Sequence, residues 1–225
     1  MSLLKDIQKL FERTYYCTGV NFEEFIVSRG RSHELEQLCA PYCRELSAEA
    51  RTYLRHHEGQ LKVGIYYSAQ VIETLERFNP VNGLTDHNIG SLIAFIEEIN
   101  HAVHASLIFL ENPRELTDEN FLVGLELQGK IDTYLALCFF KAAQRKKRRL
   151  LRCDKIWLRQ RLFDNASYEY ESPVLVARYR ETVSLARQFL DFLEELSKEA
   201  RVRIIREFSR KNFTDKKQYI LQCGC

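Results

Sequence analysis

The chain has 225 residues, 45% of them hydrophobic, with 14 Phe and 11 Tyr, which is enough apolar mass for a sizeable core. With only 9 Gly and 4 Pro, it is poorly supplied for a sandwich or barrel built on many tight turns. The formal charge is +2 but unevenly shared: residues 1–140 hold 12 Lys and Arg against 20 Asp and Glu (−8), and residues 141–225 hold 21 against 11 (+10).

The two halves therefore attract each other, and the second half also offers charge to an outside partner. The opening MSLLKDIQKLFERTYY carries charges at positions 5, 6 and 9, which breaks the apolar run of a signal peptide. No window reaches the ~18 to 20 apolar residues of a membrane span. A cytoplasmic protein is expected, and its 7 cysteines are expected as reduced thiols. The pairs Cys39/Cys43 and Cys223/Cys225 lack the second CxxC or histidine knuckle of a structural zinc site.

In chain order, hydrophobic spacing predicts a small N-terminal helical extension over 1–45 and a helical-bundle core over 48–211. Long helices are expected over 48–78, 86–111, 118–145 (continuing as far as 163), 173–197 and 199–211. Pro80, Pro113 and Pro173 punctuate the pattern, and residues 163–173 read as loop. The predicted fold class is all-α: one domain, an up-and-down bundle of long antiparallel helices with short connections.

Within the predicted 86–111 helix, FIEEINHAVHASLIF sets polar groups among apolar ones. Ile89, Leu92, Ile93, Ile96, Ile99, Val103, Leu107 and Leu110 form the main stripe; Asn100 falls inside it, and Glu97 and His104 border it. Glu97, His101 and His104 stand at spacings that let them converge. In the next helix, Gln128 and Asp132 sit mid-stripe, so antiparallel packing is expected to bring Glu97, His101, His104 and Asp132 into one cluster. Buried groups of this kind must be paired. Asp132 is either a metal ligand or general base, or the partner of a buried arginine such as Arg178. Imidazole with carboxylate suits iron, manganese or zinc.

The segment EEINHA, residues 97–102, resembles the Glu-Glu-x-x-His-Ala segment of ferritin-like di-iron proteins, which are also bundles of long helices. The resemblance implies Glu98 and His101 as ligands. The chain departs from that family in lacking a second Glu-x-x-His on its later helices.

The stretch 141–161 concentrates cations, and Arg145, Lys146, Lys147, Arg148, Arg149 and Arg152 form a candidate patch for an anionic partner, whether nucleic acid or an acidic surface. The alternative is that these cations face the acidic half of the chain. There is no glycine-rich phosphate loop or GxSxG elbow. The sequence thus points to a helical binding or interaction protein, with a non-haem metal protein or oxidoreductase as the competing reading.

Overall fold

A computed structural model describes residues 2–39, 49–118, 120–145, 149–164 and 173–223. The Ser2 hydroxyl accepts from the Lys5 amide and caps α1 (Leu3–Thr14), whose Leu4, Ile7 and Phe11 turn inward. A short 3-10 turn (Phe22–Phe25) follows, and then α2 (Arg29–Cys39).

The expected helix over 48–78 is not formed, and this corrects the all-α expectation. Residues 50–67 make an antiparallel hairpin of β1 (Ala50–His57) and β2 (Gln60–Tyr67), and only α3 (Ala69–Arg77) is helical. The physical reason lies in local chemistry. Glu58 and Gly59 both adopt left-handed backbone, at φ 50° and 71°, the geometry that closes a two-residue hairpin. Thr52, Tyr53, Val63, Ile65, Tyr66 and Tyr67 are β-branched or aromatic and fit a pleated surface. The apolar spacing that suggested a helix suits alternation as well. One face of the hairpin places Thr52 against α4 (Ile89–Glu111), its hydroxyl donating to the Glu98 carbonyl at 2.9 Å. The opposite face is covered at its base by α2, where Tyr53 meets Ser32 at 2.8 Å and Arg51 meets Glu36 at 3.1 Å.

Buried Asn88 tethers the start of α4, its amide donating to the Phe78 and Gly83 carbonyls. By length and composition α4 could cross a membrane, with a mean hydropathy of 1.3. Here it is the central helix, packed by α1, α3, both strands and α5 (Phe121–Ala143), and neighbours on several sides account for its apolarity. Its contacts with α5 run in opposite senses: Glu97 meets Lys130, and His101 meets Glu126.

Beyond α5, the chain does not continue as one helix to 163; α6 (Arg152–Arg159) is separate and ends in a π-helical turn (Gln160–Asp164). Most of the predicted 163–173 loop lies outside the described residues. Then come α7 (Pro173–Glu195), α8 (Lys198–Ser209) and an unexpected α9 (Phe213–Cys223). Phe189 of α7 stacks on Phe208 of α8 at 4.0 Å, and Tyr219 of α9 meets both rings. One hydrophobic cluster runs from Leu4 to Ile220, so α1 is built into the core. Leu110, expected in the α4 stripe, falls outside it at 61% exposed, and Phe139 of α5 does so at 56%.

Candidate functional site

Asp132 lies at the centre of the polar core and is 3% exposed. One carboxylate oxygen accepts from the Tyr15 hydroxyl. The other accepts from Asn100 Nδ2 at 2.8 Å, His104 Nε2 at 2.8 Å and Gln128 Nε2 at 3.1 Å. Gln128 also donates to the Tyr15 oxygen at 3.0 Å. Helical spacing sets up half of this network: Asn100 and His104 are one turn apart on α4, as are Gln128 and Asp132 on α5. Tyr15 arrives from the end of α1, where its ring also meets the His104 ring edge-on at 4.6 Å.

Burial raises the Tyr15 hydroxyl pKa well above its usual value, and adjacent Asp132 adds to this, so the phenol stays protonated and donates. Burial lowers the His104 pKa despite the pull of Asp132, which leaves a neutral ring that donates from Nε2. The expected burial and hydrogen bonding of Asp132 and His104 are observed. Arg178 is not the partner: it is exposed, and a phenol, two amides and an imidazole take its place.

The expected four-residue cluster divides. His104 joins Asp132, but His101 faces Glu98 at 3.8 Å through Nδ1 and Glu126 at 3.7 Å through Nε2. Glu97 pairs with Lys130 at 2.6 Å. Burial works against a charged His101 ring, yet Glu126, Glu98 and Glu97 outweigh it and push its pKa up to about 9. His101 approaches α5 at Gly129, where an added Cβ would stand 2.9 Å from Nε2. The divergence is geometric, since the two histidines leave α4 in different directions and meet different stretches of α5.

The metal expectation fits this arrangement poorly. Asp132 and His104 bond to each other, Glu97 is taken by Lys130, and the two His101 nitrogens look towards different carboxylates. Among the described residues, no group of three or more His, Cys, Asp or Glu side chains is placed to hold a metal ion. Comparison with family models, with curated proteins and with solved structures finds no match. The ferritin-like resemblance of residues 97–102 therefore stands on those residues alone.

Sequence reasoning missed Tyr15, Glu126, Lys130 and Lys216. Lys216 on α9 is 3% exposed, and no hydrogen bond or ion pair is found for it among the described residues. Burial pushes its pKa down to about 8, against the pull of Asp132 and Glu115. A lysine set at helical spacing from Phe213, Tyr219 and Ile220 was the available signal, but α9 itself was not foreseen.

In the basic stretch, several cations are already satisfied within the chain. Arg145 pairs with Asp154 at 2.6 Å, Lys155 with Glu194 at 2.8 Å, Arg159 with Asp191 at 2.6 Å and Arg161 with Asp86 at 2.7 Å. The last of these joins the basic and acidic halves. Arg149 and Arg152 are exposed, while Lys146, Lys147 and Arg148 lie outside the described residues.

Proposed function

We propose that this chain is a helical interaction protein that receives an acidic segment of a partner protein on the outer half of its hairpin. The observation that carries this reading is the strand register. Arg55 stands directly opposite Lys62, both are exposed, and neither has an ion pair among the described residues. Like charges directly across a pair of strands destabilise it, and a carboxylate from outside would relieve the repulsion. His57 lies further along the same face. The body behind the hairpin is read as an up-and-down bundle of α4, α5 and α7, supported by the reversed contacts of α4 with α5.

The test is native purification of the full chain beside its Arg55→Glu/Lys62→Glu variant, at ~50 mM and ~300 mM salt. A partner held by the wild type at low salt, released at high salt and absent from the variant is expected. A partner retained equally by both proteins refutes the hairpin reading. Stoichiometric iron, manganese or zinc in protein purified without affinity resin would instead favour the metal reading.

A further inference from the structure

A small cavity of about 20 Å³ lies where α9 meets the start of α5 and the 3-10 turn Pro113–Thr117. That is room for about one water-sized molecule. Ile108, Phe121 and Phe213 give it apolar walls, Glu115 and Asp118 bring carboxylates, and Lys216 lines it as well. Lys216 combines three properties that an ordinary surface lysine lacks. It is 3% exposed, it has no hydrogen-bond or ion-pair partner among the described residues, and its Nζ sits 5.5 Å from the centre of the Phe208 ring. A buried ammonium without a carboxylate partner is costly, so the site shifts the balance towards the neutral amine. The carboxylates on the same lining disfavour an anionic ligand, and the cavity volume excludes a large one.

We infer that Lys216 is a reactive amine that captures a small uncharged aldehyde, of one carbon, as an imine in this cavity. In that step the Nζ lone pair forms a bond to the carbonyl carbon. The carbonyl oxygen then leaves as water with the two amine protons, and a C=N bond remains. Several charged or titratable groups bear on this amine. Asp132 and Glu115 pull it towards the charged form, its charge in turn acts on His104, and Asp118 and Lys211 share the cavity lining. Burial outweighs those carboxylates and holds its pKa at about 8. At neutral pH this leaves on the order of 100-fold more free amine than an ordinary lysine has. The inference does not depend on the hairpin reading, since it concerns the opposite end of the chain and a different chemistry.

The test treats the folded full chain with limiting ¹³C-formaldehyde and cyanoborohydride at pH 7, followed by peptide mapping by mass spectrometry. Lys216 should be methylated roughly tenfold ahead of exposed Lys9, Lys62 and Lys198, and that lead should vanish in concentrated urea. Gly124→Ala places a methyl on the cavity lining, 3.6 Å from Phe213 Cβ; it should slow labelling of Lys216 and leave the exposed lysines unchanged. Lys216 reacting with or after the exposed lysines overturns the inference. So does a lead that persists in urea, or one that Gly124→Ala leaves untouched.

Discussion

His101 should make this protein less stable as pH rises from 6.5 to 8. The ring's pKa moves from 6.5 to about 9 on folding because Glu126, Glu98 and Glu97 surround it, and its side chain is only 12% exposed. The folded state thus holds a proton that the unfolded state has released. Stability from this group is fully present below pH 6.5 and is lost as pH climbs towards 9. At 1.36 kcal/mol per unit, the whole shift corresponds to about 3 kcal/mol, of which about 1.5 kcal/mol falls between pH 6.5 and 8. Two other buried bases act in the opposite sense. His104, with its lowered pKa, takes up a proton on unfolding below about pH 7.5, and its contribution rises with pH there. Lys216 takes up a proton on unfolding from about pH 7 upward, and its contribution rises with pH as well. Urea unfolding at half-unit steps from pH 6.5 to 8 therefore reads His101 as the difference between the wild type and His101→Gln. Relative to the variant, the wild type should lose about 1 kcal/mol per pH unit in that window. Equal pH profiles of the two proteins would refute the assignment of this charge to the Glu98–His101–Glu126 group.

Asp132→Asn should cost about 3 kcal/mol, because an amide nitrogen would face donors that now share a carboxylate; calorimetry showing a loss under 1 kcal/mol would mean that the network rearranges freely. Gly129→Ala should destabilise despite its better helix propensity, since the new Cβ meets His101 Nε2 at 2.9 Å; a gain in melting temperature would show that the ring moves aside at no cost. Glu58→Asn should raise stability by several tenths of a kcal/mol, because asparagine tolerates the left-handed φ of 50° better than glutamate. A drop in melting temperature there would point to a role for Glu58 that the turn geometry does not explain.

The helices that could be read from the chain are those whose apolar period continues for several turns. The segment containing α4 was expected over 86–111 and forms over Ile89–Glu111, and the segment expected over 118–145 forms α5 over Phe121–Ala143. In α7, Thr182, Ala186, Phe189 and Leu193 recur at helical spacing and are buried, while Tyr179, which shares that spacing, is only half-buried. The hairpin escaped because periodicity alone does not separate a short buried strand from a helix when apolar residues are dense. Two residues decide it, Glu58 and Gly59, and glutamate is an unusual choice for the first position of such a turn. Leu110 and Phe139 show the converse: the helical wheel puts them in line with the core, but each lies near the end of its helix, where neighbouring elements no longer cover the stripe.

Half of the polar core was legible for a related reason. Within one helix, spacing fixes which side chains share a face, so Asn100 with His104 and Gln128 with Asp132 could be paired from sequence. Across helices, the partner depends on rotation and on where the backbones come closest. Gly129 sets that point here: it lets His101 lie against α5 beside Glu126, while the His104 ring reaches Asp132. The third element of the network could not be found by spacing at all, since Tyr15 reaches Asp132 across 117 positions of sequence. Its arrival changes the chemistry. A carboxylate between a histidine and an asparagine would keep a lone pair for an outside ligand, but Tyr15 and Gln128 supply further donors to it, while Asn100 Oδ1 and Gln128 Oε1 have no hydrogen-bond partner among the described residues. His104 and Asp132, two of the residues that read as metal ligands, thereby become part of the joint that fixes α1 to α4 and α5. Near this joint, Lys216 is buried as well, and its Nζ lies over the Phe208 ring rather than against a carboxylate.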